Sequence, residues 1–170
     1  MIWQSGNESL FGNQILDLAV TNEITFAGTD HGLFISYDNG LNWLTAGLSN
    51  RIITKLAVKD TLLFAGTVNG IFVSSDRGLT WSEIDSGLAS KNVYALSANS
   101  DLVLVSTLFD GLYKSSDNGM TWVKTNINLN AIFAVSFLGD VILASSWGND
   151  VYRSTDSGVT WMSSEIGDIH

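Results

Sequence analysis

Short apolar segments recur along the chain at regular intervals. Each segment is five or six residues long, is rich in Val, Ile, Leu and Phe, and is bounded by Gly, Asn, Asp or Ser. Apolar runs of this length between turn-forming residues are typical of β-strands, whereas helices need longer runs. In the first copy the segments cover residues 15–20, 24–29 and 32–36, and a fourth starts at Trp43. The pattern predicts groups of four strands.

The middle segments are apolar at consecutive positions instead of alternating ones. Residues 62–65 read Leu-Leu-Phe-Ala, and residues 141–144 read Val-Ile-Leu-Ala. A sheet with one face in water would alternate apolar and polar side chains along each strand. We therefore expect both faces of each sheet to be covered.

An eight-residue motif, Ser-x-Asp-x-Gly-x-x-Trp, follows the third segment of every group. Successive tryptophans of this octapeptide lie 38, 41 and 39 residues apart, and Trp3 precedes Trp43 by 40 residues. The repeated residues are Ser36, Asp38, Gly40 and Trp43; Ser74, Asp76, Gly78 and Trp81; Ser115, Asp117, Gly119 and Trp122; and Ser154, Asp156, Gly158 and Trp161. A motif that returns at such a period marks a repeat architecture.

Four antiparallel strands per unit of about forty residues is the make-up of a propeller blade. We predict an all-β fold, a β-propeller of four-stranded antiparallel blades with four blades in a single domain spanning residues 1–170. The predicted blades cover approximately residues 13–47, 52–87, 92–126 and 131–166. Residues 1–12 are predicted to be an outer-strand remnant or clasp plus a linker, because Trp3 keeps the phase of the repeat.

The residue types of the octapeptide suit a tight turn between the third and fourth strands. The Asp and Ser side chains can accept hydrogen bonds from the turn amides, the Gly permits a positive φ, and the Trp ring can cover the turn. Calcium binding or acid catalysis is the alternative role for the four aspartates. Calcium needs six or more converging oxygens, however, and each octapeptide holds one Asp. We expect structural aspartates, no metal site and no cofactor.

Charge and composition exclude several classes of function. Seventeen acidic against eight basic residues give a formal net charge of −9, which disfavours nucleic-acid binding. No apolar run approaches the ~20 residues that a membrane-spanning helix needs. The absence of cysteine excludes disulfides and thiolate metal sites. The first residues lack the basic and apolar regions of a signal peptide, so none is expected.

At the four octapeptides the chain resembles the Asp-box, or BNR-repeat, β-propeller family. The phrases LFAGTVNGIFVSSDRGLTWSEIDSGL and VLVSTLFDGLYKSSDNGMTW look most like bacterial repeat proteins of the sortilin-like and photosystem II assembly factor-like types. The family includes sialidases, xyloglucanases, receptors and assembly factors, so the resemblance implies a fold and leaves the function open. It also implies an extracytoplasmic or secreted protein.

The enzyme branch of that family implies residues that this chain does not match. Sialidases resemble one another in an arginine triad, whereas the three arginines here, Arg51, Arg77 and Arg153, fall in different parts of the repeat. Xyloglucanases resemble one another in two catalytic aspartates between two propellers, and this chain offers four blades. We therefore expect no enzymatic activity, and a fragment of such a glycoside hydrolase is kept as an alternative.

The turns between the second and third strands differ from copy to copy while their flanks repeat. Variable loops on a rigid scaffold are typical of a binding surface, and we expect a protein, peptide or glycan ligand there. Trp147 and Phe109 could form an apolar platform, although both rings could instead fill the channel mouth or an interface. The candidate ligand-binding residues are Asp30, His31, Asn69, Phe109, Asp110, Trp147, Asn149 and Asp150.

The first and last predicted blades are as apolar as the middle ones, and a repeat array needs caps or neighbours at its ends. Three solutions are open: a small four-bladed ring, a homodimer that closes one eight-bladed ring, or a piece of a longer protein. We favour the homodimer, or another homo-oligomer, because closure also removes exposed sheet edges. A purely structural or engineered assembly unit is thus the second functional alternative. Inside the channel, Asp17 and Lys55 are predicted to form an ion pair.

Overall fold

Sixteen strands form four antiparallel sheets in the computed structural model of the chain. The structure describes residue 10 and residues 12–21, 23–129, 131–146 and 150–165. In chain order the strands are β1 Ile15–Val20, β2 Thr25–Thr29, β3 Gly32–Ser36, β4 Leu44–Thr45, β5 Ile53–Lys59, β6 Leu62–Thr67, β7 Gly70–Ser74, β8 Ser82–Glu83, β9 Val93–Ala98, β10 Val103–Thr107, β11 Gly111–Ser115, β12 Val123–Lys124, β13 Ile132–Leu138, β14 Val141–Ser146, β15 Asp150–Ser154 and β16 Met162–Glu165.

Each sheet contains four strands that follow one another in the chain. The sheets are β1 to β4, β5 to β8, β9 to β12 and β13 to β16, which we call blades 1 to 4. Every neighbouring pair is antiparallel, and the described residues contain no α-helix. The predicted all-β fold, a propeller with four four-stranded blades in the chain, is confirmed.

The first strand of every blade contains a β-bulge near its start. In blade 1, Ile15 pairs with Thr29 while Asp17 pairs with Gly28, so one residue between them has no partner. The extra residues of the four bulges are Leu16, Thr54, Tyr94 and Phe133. A bulge interrupts the alternation of side chains along a strand and re-aims the extra residue.

A small residue on the second strand of a blade receives the first strand of the next blade. A Cβ atom added to Gly28 would lie 2.8 Å from Ile53 Cγ2, and one added to Gly66 would lie 2.4 Å from Val93 Cγ1. A larger side chain at either position would overlap the neighbouring strand and push the two sheets apart. Close packing of the blades therefore depends on these positions being small.

Three apolar clusters fill the junctions between neighbouring blades. The first joins blades 1 and 2, and its buried members include Phe26, Leu33 and Ile53. The second joins blades 2 and 3, and the third joins blades 3 and 4. At the third junction the Ser106 hydroxyl donates a hydrogen bond of 2.7 Å to the carbonyl of Ile132. Blades 2 and 3 are thus covered on both faces.

The row of four blades does not close on itself. β1 packs against β5, β5 against β9 and β9 against β13, whereas no contact of similar extent joins β13 to β1 among the described strands. The structure therefore does not show the small four-bladed ring that the sequence left open. It leaves one outward sheet face on blade 1 and one on blade 4.

Asp17 connects blades 1 and 2 through a backbone group. Its Oδ2 atom accepts a hydrogen bond of 2.7 Å from the N–H of Leu56. The predicted partner, Lys55, is not in an ion pair with Asp17 among the described residues. A backbone donor is already fixed by the sheet, whereas a lysine side chain would have to be immobilised at an entropic cost.

Substituting Gly66→Ala tests the packing of the blades. We expect this variant to lower the free energy of unfolding by about 1–3 kcal/mol, since the new methyl group overlaps Val93. Urea unfolding followed by tryptophan fluorescence measures the change. The double variant Gly66→Ala/Val93→Ala should show a smaller effect than the sum of the two single variants, because the smaller residue 93 leaves room for the methyl group. Simple additivity would contradict the described contact.

Candidate functional site

The antiparallel order of the strands gives the blades two different ends. The turns between second and third strands lie at the same end as the starts of the first strands, and we call this end the loop face. The octapeptide turns between third and fourth strands lie at the other end, which we call the octapeptide end.

The octapeptide turns share one hydrogen-bond pattern, which the second copy illustrates. Ser74 Oγ donates to Asp76 Oδ1 over 2.7 Å and accepts the N–H of Gly78 at 2.8 Å. The N–H of Thr80 donates to Asp76 Oδ1 at 2.9 Å, and its hydroxyl donates to Oδ2 at 2.6 Å. The same bonds recur around Asp117 and Asp156, and around Asp38, where the Asn42 amide replaces the hydroxyl.

These hydrogen bonds hold the pKa of each octapeptide aspartate low. The hydroxyl of Thr80, followed by its backbone amide, lowers the pKa of Asp76 from 3.8 to about 2. The equivalent bonds lower the pKa of Asp117 and Asp156 to about 2, and the Asn42 amides lower the pKa of Asp38. Each carboxylate is ionised at neutral pH and has no proton to donate as a general acid.

Two consecutive residues of the octapeptide adopt a left-handed backbone. In the second copy Arg77 has a φ of 63° and Gly78 a φ of 88°. The positive φ of the glycine confirms the sequence prediction. The positive φ of the residue before it does not follow from the sequence analysis. The indole N–H of Trp81 donates to the carbonyl of Gly78 at 2.9 Å. Trp122 instead donates to Ile84 of the preceding blade at 2.6 Å, and so links two blades.

At the loop face, Asp30 and His31 form the first turn and bond to each other. His31 Nδ1 lies 2.8 Å from Asp30 Oδ1, and this carboxylate oxygen also accepts the N–H of Gln14 at 2.9 Å. The hydrogen bond from His31 lowers the pKa of Asp30. Asn69, in the second turn, is exposed, and its N–H donates to the hydroxyl of Thr67 at 2.9 Å.

Phe109 and Asp110 form the third turn and have different roles. The Phe109 side chain is 73% exposed on a backbone with a φ of 59°. Asp110 is partly buried and accepts bonds from Tyr113 Oη at 2.5 Å and Lys124 Nζ at 2.9 Å. Burial opposes ionisation of Asp110, but these two donors outweigh it and lower its pKa. Burial, together with the bond to Asp110, raises the pKa of Tyr113 to about 12.

The fourth turn is partly outside the described residues. Asp150 begins β15, and Tyr152 Oη lies 3.5 Å from its Oδ2 atom. Trp147 and Asn149 are not among the described residues, so the platform of Trp147 and Phe109 stays a prediction. The structure brings Asp30, Phe109 and Asp150 to the same end of the sheets but describes no contact between them.

A groove of about 390 Å³ lies on the loop face and was missed by sequence reasoning. The bulge residues Thr54, Tyr94 and Phe133 line it together with Val68. The rings of Tyr94 and Phe133 meet edge to face, with their centroids 5.6 Å apart. One signal was available in the sequence, because each of these bulge residues follows the first Ile or Val of the first strand of a blade, which we call the inner strand.

The three arginines lie apart from one another. Arg51 stacks over the Phe72 ring, with 4.6 Å between its guanidinium carbon and the ring centroid. Arg77 lines a cleft of about 520 Å³ between blades 1 and 2 at the octapeptide end, and Glu23 lines the same cleft. Arg153 is exposed on β15.

Within the described residues, no three His, Cys, Asp or Glu side chains form a group that could hold a metal ion. In that same part of the chain there is no helix of the length and apolarity needed to cross a membrane.

No protein-family profile matches the chain, and no curated protein matches it by sequence. Solved structures of propeller-type proteins do resemble it. YCF48 from Cyanidioschyzon merolae is 14% identical with a TM-score of 0.71, over 89% of this chain and 56% of that chain. A structure of YCF48 bound to D1 peptide is 16% identical with a TM-score of 0.70, over 91% of this chain and 56% of that chain.

Two further solved structures with a similar fold are a natural enzyme and a designed protein. The GH74 xyloglucanase from Xanthomonas campestris is 17% identical with a TM-score of 0.71, over 89% of this chain and 30% of the enzyme. The computationally designed Ika4 protein is 14% identical with a TM-score of 0.70, over 98% of this chain and all of that chain. At these identities the similarity shows the fold alone. The chain spans about half the length of YCF48.

Substituting Thr80→Val tests the octapeptide bonds, because it removes the hydroxyl donor and keeps the side-chain shape. We expect Asp76 to titrate near 2 in the unmodified chain and at higher pH in the variant, as followed by the carboxyl carbon chemical shift. Asp117 is the internal control and should titrate alike in both proteins. An unchanged Asp76 midpoint would show that the Thr80 hydroxyl does not set its pKa.

The same pKa values predict how stability depends on pH. Folding lowers the pKa of Asp76, Asp117 and Asp156, so their ionised forms stabilise the fold at pH values above 3.8. This stabilisation is lost as the pH falls toward about 2. The melting temperature should therefore decline across that interval, and less steeply in the Thr80→Val variant.

Proposed function

We propose that this chain is a non-catalytic propeller module that binds an extended peptide, or an extended segment of a protein, on its loop face. The groove of about 390 Å³ lined by Tyr94 and Phe133 carries this proposal. Pockets of this size, with apolar and aromatic walls and a few polar groups, are typical of binding sites. The groove is large enough to receive one or two side chains of a peptide.

The aromatic side chains of the groove are presented by bulges, not by flexible loops. Tyr94 and Phe133 each occupy the extra position of a bulged inner strand, and their edge-to-face contact limits the movement of both rings. Bulges are common next to binding and active sites because they re-aim a side chain. A rigid aromatic wall loses little conformational entropy when a ligand binds.

Exposed apolar side chains extend the groove towards the turns. Val68 lines the groove and is 41% exposed, and Phe109 stands on a neighbouring turn of the same face. Phe109 also holds a positive φ, a conformation that costs energy for a bulky residue and is concentrated at functional sites. An apolar peptide side chain would cover surface that is otherwise in contact with water.

The net charge of the chain restricts the partner further. A formal charge of −9 attracts basic segments over a distance and repels acidic ones. Lys55 also lines the groove and is a cation. We therefore expect the preferred peptide to place apolar side chains in the groove and its basic residues outside it. The known similarity of fold to YCF48, which has been solved with D1 peptide bound, supports a peptide-binding role without identifying the peptide.

The ionised state of Asp30 and Asp110 supports a non-catalytic role. A glycoside hydrolase needs one carboxyl group that keeps its proton at working pH and therefore has a raised pKa. The pKa values of Asp30 and Asp110 are lowered instead, the first by His31 and the second by Tyr113 and Lys124. Xyloglucan incubated with the chain should release no reducing sugar, and release that depends on Asp30 or Asp110 would overturn this part of the proposal.

A peptide library tests the binding role directly. Twelve-residue peptides displayed on phage and selected on the immobilised chain should be enriched in apolar and basic residues. Their addition to labelled protein should shift the amide resonances of Val68, Tyr94 and Phe133. The variant Phe133→Ala should weaken binding of a selected peptide by about tenfold or more, since an aromatic anchor is lost.

A matched control uses an equally exposed apolar residue at the octapeptide end. Leu79→Ala removes a side chain that is 74% exposed and far from the groove, and peptide affinity should not change. Selected peptides that shift octapeptide-end resonances, or that bind Phe133→Ala and the unmodified chain alike, would refute the site. If parallel arrays show binding of glycans and not of peptides, the ligand of this site is a glycan and the peptide proposal is refuted.

A further inference from the structure

We infer that a second copy of this chain packs onto both terminal blades, so that blade 4 of each copy receives β1 of the other and two copies close one eight-bladed ring. This inference concerns assembly, and it does not depend on the binding role proposed for the loop face.

Blade 1 presents an inner strand with the side chains of an interior blade but without their burial. Ile15 is 48% exposed and Leu18 is 56% exposed. The residues at the same register positions of blade 2, Ile53 and Leu56, are 0% and 6% exposed because blade 1 covers them. Apolar side chains in this pattern lack only a preceding blade.

Blade 4 presents the matching outward face. Leu143 and Val151 are partly exposed, whereas the residues at the same positions of blade 2, Phe64 and Ile71, are fully buried against blade 3. The face is therefore apolar at the positions where the interior junctions are apolar. It lacks only a following blade.

A small residue stands on blade 4 where a neighbouring inner strand would enter. Ser145 occupies the position that Gly28, Gly66 and Ser106 hold in blades 1 to 3. Each of those three residues receives an Ile or Val from the next blade. Ser145 is thus ready to receive Ile15 of the second copy, with its hydroxyl donating to the Ile15 carbonyl as Ser106 donates to Ile132.

Arg153, on the third strand of blade 4, occupies the same position as Lys114, which links blades 3 and 4. Lys114 Nζ donates to the carbonyl of Ser157, in the octapeptide of the following blade, at 2.6 Å. Arg153 occupies the position of Lys114 in blade 4 and is exposed. The equivalent acceptor is the carbonyl of Asn39 in blade 1 of the second copy. The guanidinium N–H groups of Arg153 would donate to this carbonyl as Lys114 donates to Ser157.

Leu10 covers part of the outward face of blade 1. In each of the three internal junctions a leucine from the linker packs against the apolar cluster between the two blades, namely Leu48, Leu88 and Leu129. Leu10, which precedes blade 1, packs on Ala27, Phe34 and Trp43 of that blade. Its carbonyl accepts the N–H of Asn13 at 3.1 Å, as Leu48 accepts that of Arg51 at 3.1 Å. The outer part of this face is therefore covered, and β1 remains for the partner.

A second copy is the occupant that these features specify together. Both open faces repeat the register of the internal junctions, so one copy offers what the other lacks at each end. The described strands do not fill them, because β13 and β1 make no extensive contact. Two identical junctions related by a twofold axis satisfy both faces of both copies and leave no edge for further addition.

Light scattering coupled to size-exclusion chromatography tests the ring. We expect a single species with twice the 18.4 kDa mass of the chain at micromolar concentrations. A folded monomer would show that a different occupant covers these faces and would overturn the inference. Trimers, or a continuous series of larger species, would overturn the closed two-copy ring equally.

A pair of charge variants tests the junction residue by residue. Ile15→Asp and Ser145→Arg each place an unpaired charge in both junctions of a homodimer, and each should weaken self-association by about a hundredfold or more. Mixed together they should form a heterodimer, because one junction is then unaltered and the other pairs the two opposite charges. Circular dichroism and cooperative melting identify variants that fail to fold.

Leu79→Arg is the matched control, since it adds a charge at an exposed apolar site away from both faces. This variant should remain dimeric. Dimers that persist in Ile15→Asp and Ser145→Arg, or folded variants that fail to form the heterodimer, would refute the proposed contacts.

Discussion

The fold depends on the contact between the inner strand of one blade and a small residue on the second strand of the blade before it. A branched side chain of the inner strand, such as Ile53, lies against a position where even one methyl group would overlap it. This close approach brings two apolar faces together and excludes water from between them. Each blade is too small to bury its own faces, so its stability comes from its neighbours, as in other repeat proteins.

The octapeptide turns serve the same packing from the rim of each blade. The Ser and Asp side chains satisfy the backbone donors of a turn that contains two consecutive residues with positive φ. Each turn also positions the tryptophan that follows it over the edge of a junction. Trp81, for example, packs against the cluster between blades 1 and 2. Polar bonds therefore determine the geometry, and apolar burial supplies most of the stabilising free energy.

Sequence reasoning predicted the parts of the structure that repeat. The four blades, the position of the octapeptide turns and the role of Gly78 all follow from residue types at fixed spacing. The groove could not be predicted in this way, because its walls are bulge residues such as Tyr94, and a bulge is decided by pairing between strands. The turn position of Asp110 predicts a ligand-binding residue, whereas in the structure its carboxylate is bonded to Tyr113, three residues further on, and to Lys124 in another strand. The predicted ion pair of Asp17 with Lys55 is wrong, because the backbone N–H of Leu56 occupies the Asp17 carboxylate instead.

If inner-strand packing is the central constraint, the protection of an inner strand must depend on the presence of a preceding blade. Hydrogen–deuterium exchange over a dilution series measures this for β1 and β5 in the same molecule. We expect the amides of β5 to be strongly protected at every concentration. Those of β1, which are paired with β2, should gain protection as the chain self-associates. Equal protection of both strands in the dilute monomer, or exposure of β5, would contradict the account.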